Sequence, residues 1–305
     1  MKRIFFFIIT NIAILLVLSI FLSLTGFTGI LQSNGVDLDY DSLMLFSLVF
    51  GMGGSFISLY MSKWMAKRMA GVKIINEPSN EFEKWYFNVV KKHSQILGIK
   101  MPEIGIFPSE GPNAFATGAS KNSSLVALSS GLVNSMNKNE IEAVIGHEMS
   151  HIANGDMVTL SLIQGIVNAF VIFFSRVIGH FVDRVILKND RGYGIGYFFT
   201  VIFAQVVLGI LASTIVCWYS RRREFRADYG GAQLTSKESM ISSLRALERF
   251  SAAKLPDQML AFGISNKGQT STLQKLFSTH PPLAKRIQQL QETEIIAYTD
   301  EQQAS

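Results

Sequence analysis

The segment His147-Glu148-Met149-Ser150-His151 lies inside an apolar stretch whose hydrophobic residues recur at helical spacing. Asn139 and Glu142 have the spacing of a capping box at its start, and Gly155 suits its end. We therefore predict one capped helix that carries both histidines. Because residues four apart lie on the same helical face, the two imidazoles are expected to point to the same side.

Two imidazoles on one helical face, with a carboxylate beside the first, are the donor set of a zinc peptidase. Each imidazole can reach one zinc ion at about 2.0–2.1 Å, so His147 and His151 are predicted as ligands. Glu148 is predicted as the general base that takes a proton from zinc-activated water. The simpler alternative is a helix that happens to expose two histidines. A closed structural zinc site would need further Cys or His ligands nearby, and the sequence has none there.

The third zinc ligand has to come from elsewhere in the chain. A metzincin pattern would require Gly and His where this sequence has Asn154 and Met157, and Asp156 lies too close along the same helix end. Glu224 is the candidate, and Asp228, one helical turn later, could hydrogen-bond the free nitrogen of a zinc-bound histidine. The alternative is that both acids pair on a solvated face with the nearby basic residues Arg222, Arg223 and Arg226.

Four apolar runs are candidate membrane segments, namely Ile4–Leu24, Leu43–Met61, Met157–Phe174 and Tyr197–Trp218. The first is longer than the apolar core of a signal peptide, which favours an uncleaved anchor. The positive-inside rule predicts that the amino terminus and the segment after the second run face the cytoplasm, because that segment begins with Lys63, Lys67 and Arg68.

The last two runs could form either a pair of spans or a re-entrant hairpin, because the basic residue Arg176 and the polar residue His180 follow closely after the third run. Either arrangement returns the chain to the side of the membrane from which the third run started. Glu224 can therefore meet His147 on one side of the membrane, whereas a single span between them would exclude the ligand assignment.

The remaining sequence has the composition of water-facing protein, with predicted strands at Glu103–Phe107 and Ser124–Leu128 and an edge strand at Pro112–Gly118. Thr235 and Glu238 have capping-box spacing before a late helix. We predict a mostly α-helical fold with a small β-sheet, in which a multi-span membrane protein carries a cytoplasmic zincin-like domain of the gluzincin type. The predicted parts are a two-span anchor (1–70), the first half of the catalytic domain (71–156), a membrane hairpin (157–220) and the second catalytic half (221–305).

Composition excludes several classes of protein. Charged residues make up 17% of the chain, below the approximately 25% of soluble proteins, which agrees with membrane segments. The net charge of +5 resides largely in short clusters beside apolar runs rather than on a basic face with interleaved aromatics, so no nucleic-acid partner is predicted. The single cysteine, Cys217, excludes an intramolecular disulfide and a cysteine metal cluster.

The combination of motifs resembles HtpX-type membrane zinc metallopeptidases, which are related to the CAAX prenyl proteases. The resemblance rests on the amino-terminal anchor, Pro112–Ala116, Gly146–Asp156, Arg223–Asp228 and His280-Pro281-Pro282. It implies an endopeptidase with one zinc ion in the bacterial inner membrane, whose site faces the cytoplasm and which degrades misfolded or damaged membrane proteins. It also implies that Asn113 binds the substrate backbone and that His280 helps to hold the scissile carbonyl or its oxyanion.

Simpler interpretations of these residues and of the whole chain stay open at this stage. Asn113 could be a turn residue after Pro112, and His280 could merely precede a proline turn. An inactive zinc-binding adaptor in the membrane is the alternative function, and a transporter is disfavoured because the apolar runs carry few polar residues. The predicted partners are polypeptide substrates and the lipid bilayer, and self-association is left undecided.

Overall fold

The structure is a computed structural model that describes residues 39–189, 192–253 and 278–298. The chain divides into two compact units. The apolar unit contains the described residues up to Ser58 together with Ser161–Val216, and the sheet unit contains Leu59–Leu160 together with the described residues from Cys217 onward. The predicted anchor run Ile4–Leu24 lies outside the described residues.

The described helices and strands follow one another in this order: α1 (Tyr40–Met69), β1 (Lys73–Ile74), α2 (Glu81–Ile96), β2 (Glu103–Phe107), β3 (Ala114–Ser120), β4 (Ser123–Ser129), α3 (Ser130–Ser135), α4 (Lys138–Asn154), α5 (Asp156–Phe181), α6 (Ile195–Leu234), α7 (Lys237–Ala253) and α8 (Leu283–Glu292). A π-helical turn, Val182–Ile186, extends α5. The predicted mostly α-helical fold with a small sheet is confirmed.

Three helices are long and apolar enough to cross a membrane: α1, α5 with its π-helical extension, and α6. They have 30, 31 and 40 residues, against about 20 needed for one crossing. The predicted runs Leu43–Met61, Met157–Phe174 and Tyr197–Trp218 all lie within them. Within the apolar unit, α1 and α5 approach so closely that a Cβ added at Gly51 would lie 2.5 Å from the backbone nitrogen of Ala169. Glycine is therefore required at that crossing.

The sheet unit contains a four-stranded sheet with the order β1-β2-β4-β3. β2 and β4 are parallel, and the outer pairs are antiparallel. β2 has the predicted bounds, β4 extends the predicted strand Ser124–Leu128 by one residue at each end, and β3 lies at the edge as predicted for Pro112–Gly118. β1 and α3 are short elements that the sequence analysis did not predict.

Helix α4 packs against the sheet and α2 through the largest buried cluster, which includes Tyr86, Val126, Leu132, Ile145 and Met149. The Tyr86 hydroxyl donates to the carbonyl of Val126 at 3.0 Å, so α2 is held to the central strand β4. This apolar contact fixes one face of α4. Its other face is left for the polar residues described below.

The start of α4 differs from the prediction, because Asn137 and Glu140 form its capping box rather than Asn139 and Glu142. The Asn137 side chain accepts from the Glu140 N–H at 3.0 Å, and the Glu140 carboxylate accepts from the Asn137 N–H at 3.1 Å. The predicted end is confirmed, since Gly155 takes the left-handed conformation with φ of 65°. The whole HExxH segment therefore lies inside one regular helix.

The cap of α7 also differs from the prediction, because Ser236 accepts from the N–H of Ser239 at 3.0 Å. The Thr235 hydroxyl instead donates back to the carbonyl of Gly231 at the end of α6. α8 begins directly after Pro281 and Pro282.

Small residues bring α6 close to α4 within the sheet unit. A Cβ added at Gly146 would lie 3.3 Å from the Cα of Gly231, and one added at Gly231 would lie 3.0 Å from the backbone nitrogen of His147. A Cβ at Gly230 would meet the Ser150 hydroxyl at 2.5 Å. These glycines let the carboxylates of α6 reach the histidines of α4.

Candidate metal centre

Three buried side chains converge where α4 meets α6. His147 and His151 come from successive turns of α4, and Glu224 comes from α6. One ligand atom from each residue lies within 4.8 Å of the other two. The structure therefore brings together the three residues that the sequence analysis proposed as zinc ligands.

Each imidazole lies from one oxygen of Glu224 at about the distance that separates two ligands of one metal ion. Nε2 of His147 lies 3.5 Å from Oε2 of Glu224, and Nε2 of His151 lies 3.3 Å from Oε1. Ligands at about 2.0–2.1 Å around a tetrahedral zinc would be roughly 3.4 Å apart. Oε1 of Glu224 is buried and makes no hydrogen bond among the described residues. A buried carboxylate oxygen needs a partner, and a cation held between these three side chains would supply one.

The second nitrogen of each histidine is bound by a carboxylate. Asp228, which was predicted to hydrogen-bond a histidine, has Oδ1 2.9 Å from Nδ1 of His147. Asp156 has Oδ2 2.7 Å from Nδ1 of His151. When Nδ1 carries the proton, the lone pair of Nε2 is free to bind a metal, so both carboxylates set the tautomer that a metal site requires.

Asp156 is a site residue that the sequence analysis missed. Its position five residues after His151 argued against a role as ligand, but this position places it just beyond the Gly155 cap, where its side chain turns back to the imidazole. The signal available in the sequence was a histidine in the last turn of a helix, followed by glycine and an acid.

Arg286 on α8 was also missed. Its Nε and Nη2 donate to the two carboxylate oxygens of Asp228 at 2.7 and 2.5 Å, and Nη1 lies 3.5 Å from Oε2 of Glu224. The side chain is 7% exposed. The alternative that Asp228 pairs with Arg222, Arg223 or Arg226 is therefore wrong, because its arginine partner is 58 residues further along the chain.

The buried groups around the histidines carry an excess of negative charge. Asp156, Glu224 and Asp228 are three carboxylates, and Arg286 is the one guanidinium buried with them among the described residues, while the exposed Arg226 lies 3.5 Å from Asp156. Neutral histidines therefore leave two negative charges, which one divalent cation would balance.

The pKa values of the cluster respond to the same charges. Burial favours the neutral form of His147, but its bonds to Asp228 and Glu224 outweigh this and raise its pKa to about 9. Burial likewise opposes ionisation of Glu224 and Asp228. Hydrogen bonds from the histidines lower the pKa of Glu224, and those from Arg286 and His147 lower the pKa of Asp228. Both carboxylates are thus held in the charged form that a cation binds.

The other predicted site residues occupy different positions. Glu148 is half-buried on α4, directly after the first histidine. His280 has Nδ1 2.8 Å from Oε2 of Glu224, and 63% of its side chain is exposed. Asn113 is exposed just before the edge strand β3 and bonds to Ser129 through its backbone. None of the described hydrogen bonds links Asn113 to the histidines.

Comparison with known proteins assigns the family. The model of peptidase family M48 matches residues 69–294. Protease HtpX of Thioalkalivibrio sulfidiphilus is 55% identical over 95% of this chain and 98% of its own length, and a protease HtpX homolog of Nitrosomonas europaea is 54% identical over 95% and 99%.

A solved structure has the same fold. The crystal structure of S. mikatae Ste24p matches with a TM-score of 0.58 and 18% identity, covering 93% of this chain and 66% of that one. The family match, the relatives and the three apolar helices agree with the geometry of the buried cluster. The chain belongs to peptidase family M48, and it is a membrane metallopeptidase.

Proposed function

We propose that the chain is a zinc endopeptidase of the bacterial inner membrane that cleaves misfolded or damaged membrane proteins on the cytoplasmic side. The observation that carries the proposal is the buried set of His147, His151 and Glu224, whose ligand atoms lie within 4.8 Å of one another and whose imidazoles each approach one oxygen of the carboxylate. Two imidazoles and one carboxylate suit zinc, and three protein ligands leave the fourth position open for catalysis.

A bound zinc ion would polarise the scissile carbonyl and acidify the attacking water. Glu148 follows the first ligand on α4 and accepts the proton of that water. It then donates the proton to the leaving amine. Asp228 and Asp156 keep both imidazoles oriented throughout, because each holds an Nδ1 atom.

The edge strand β3 is the proposed binding site for the substrate backbone. Among the described strands, β3 pairs with β4 alone, so its other edge can accept an extended peptide by strand addition. Asn113 lies at the start of this strand, where its exposed amide could bind the substrate backbone. Recognition through the backbone depends little on the side chains of the substrate, which suits a peptidase that removes damaged proteins of varied sequence.

His280 is proposed to assist at the scissile carbonyl. Its contact with Glu224 places the imidazole beside the ligand set, and its exposed face is accessible to a substrate. Nδ1 donates to the carboxylate, so Nε2 is the atom left to face the substrate, and it donates to the developing oxyanion in the imidazolium form, in which both ring nitrogens carry a proton.

The cytoplasmic orientation is supported by charge and by the order of the helices. Lys63, Lys67 and Arg68 lie in the last turns of α1 or close to them, where cytoplasmic ends are enriched in basic residues. Two apolar segments, α5 and the part of α6 that precedes Glu224, separate the histidines from Glu224. An even number of crossings lets both parts of the site share one side.

The test is zinc content and proteolysis of detergent-purified protein. Wild type should hold about one zinc and cleave an unfolded protein such as casein, lose this activity with a chelator and regain it with zinc. Glu148→Gln should keep its zinc and lose nearly all cleavage. Glu142→Gln, a change of another half-buried glutamate on α4, is the matched control and should retain activity. Zinc binding without cleavage in wild type would instead favour the adaptor.

A further inference from the structure

A cavity of about 610 Å³ opens beside the metal centre, entirely within the sheet unit. This volume lies in the range of roughly 300–1,000 Å³ that is typical of ligand sites. One wall comes from α6, and the other comes from the segment that leads into α8. The lining residues are Trp218, Arg221, Arg222, Phe225, Ser278, His280, Pro281, Pro282, Leu283 and Lys285.

His280 connects this cavity to the cluster of ligands. It lines the cavity, and its Nδ1 atom lies 2.8 Å from Oε2 of Glu224. A group bound in the cavity therefore sits next to the position proposed for the scissile carbonyl. In a polypeptide substrate, such a group belongs to a residue close to the bond that is cut.

The lining of the cavity is positively charged. Arg221, Arg222 and Lys285 contribute three cations, and no carboxylate is among the described residues that line it. Arg221 donates to the carbonyl of Ser278 and so helps to position the wall that leads to His280. Arg222 lies over the ring of Trp218, with its guanidinium carbon 5.5 Å from the ring centre. Arg222 and Lys285 are exposed and can turn toward an occupant.

The amino end of α8 adds to this positive potential. Pro282 precedes the helix and provides no side-chain cap, so the first N–H groups of α8 lack that partner. Leu283, the first residue of the helix, lines the cavity. The positive end of the helix dipole therefore reinforces the basic side chains.

We propose that this cavity is a specificity pocket that accepts acidic side chains of the polypeptide substrate beside the scissile bond. The inference rests on the proposed peptidase function. A substrate carboxylate would pair with Arg222 and Lys285, while its aliphatic carbons would pack on Trp218 and Phe225. The shared residue His280 favours a peptide occupant over an anionic phospholipid headgroup, because a headgroup would gain nothing from lying beside the catalytic position.

The experiment uses detergent-purified, zinc-loaded full chain and fluorogenic peptides. The scissile bond of a neutral parent peptide is first located by mass spectrometry. Glu, Gln or Lys is then placed at each position flanking that bond, and kcat/KM is measured. Wild type should prefer Glu to Gln by about fivefold at one of these positions, with Lys poorest, as expected for ion pairs at partly exposed cations. High ionic strength should reduce this preference.

Charge reversal at Arg222 and Lys285 tests whether these two residues cause the preference for acidic substrates. The double variant Arg222→Glu/Lys285→Glu should prefer Lys to Glu at the same position, whereas Arg245→Glu, a reversal at an exposed arginine on α7 outside the cavity, should behave as wild type. If the reversed protein fails to fold, Arg222→Gln/Lys285→Gln should still cleave the Gln peptide and should lose the preference for Glu over Gln. General loss of folding would lower all rates together and could not invert their order.

The outcomes separate this inference from the proposed function. Equal cleavage of the Glu, Gln and Lys peptides by wild type would overturn the pocket and leave the peptidase intact. Absence of any cleavage by wild type would overturn both. If the reversals leave the order of the peptides unchanged and reduce activity only in vesicles that contain anionic phospholipid, the cavity binds headgroups and the inference is wrong.

Discussion

Replacing Arg286 with methionine should weaken the metal centre although Arg286 is not a proposed ligand. The side chain donates two hydrogen bonds to Asp228, and Asp228 in turn holds Nδ1 of His147. Methionine replaces the aliphatic part of arginine and carries no charge, so the Asp228 carboxylate would stay buried with one partner fewer. Glu224, with Oε2 3.5 Å from the guanidinium, would lose a neighbouring positive charge as well.

The magnitude follows from the burial of the pair. Removing one partner of a buried ion pair typically costs about 3–5 kcal/mol, because the other charge is left uncompensated. For a unit of this size, that corresponds to a fall in the thermal midpoint on the order of 10 °C. Loss of an orienting group behind a metal-bound histidine typically lowers metal affinity about 10–100-fold. Both effects are therefore large enough to measure.

The assay combines thermal unfolding with zinc competition against a fluorescent chelator. Lys285→Met, which removes an exposed cation one residue earlier on α8, is the matched control and should change both quantities little. Arg286→Met/Asp228→Asn should be less destabilised than the sum of the single variants, because no unpaired carboxylate remains. Additive effects in this cycle, or unchanged zinc affinity in Arg286→Met, would refute the argument.

Three further expectations concern the same cluster. Asp156→Ala should lower zinc affinity about tenfold, since it frees Nδ1 of His151, and the competition assay should show this while the protein stays folded. Gly231→Ala should destabilise the protein by about 1–3 kcal/mol and weaken zinc binding, because the new methyl group meets the backbone of His147 at 3.0 Å; an unchanged melt would contradict the close approach. In the metal-free protein, the raised pKa of His147 gives stability that is complete below its ordinary pKa of ~6.5 and is lost as pH rises through about 9. The thermal midpoint of that form should therefore fall over this range of pH, and a flat profile would count against the ion pair.

The metal-binding residues were accessible to sequence reasoning because local geometry specifies most of them. Helical periodicity alone places His147 and His151 on one face. Glu224 could be proposed from the acid one turn later and from the even number of apolar runs between the two parts. Arg286 could not be found in this way. Three arginines lie within six residues of Asp228, and only the packing of α8 decides that the distant one is its partner.

Helix starts were less predictable than helix interiors. Two overlapping pairs, Asn137 with Glu140 and Asn139 with Glu142, have the same spacing, so the motif alone does not choose between them. The chosen Glu140 is buried and also accepts from Ser242 of α7, a contact between elements that is not visible in the sequence. At α7, the neighbouring Ser236 is the cap, and the Thr235 hydroxyl donates to α6 instead.

Because the charges of the buried cluster are unbalanced, the supply of metal should affect how long the folded protein survives as well as whether it is catalytically active. Asp156, Glu224 and Asp228 face a single buried guanidinium among the described residues, so the empty site holds mutually repelling carboxylates that only protonation of its histidines offsets. Ligand binding to the folded state alone shifts unfolding by mass action, and an ion that neutralises this repulsion acts in the same way. Cells short of zinc would then hold fewer intact copies rather than a reserve of idle enzyme, because the unloaded chain would unfold more often and be removed.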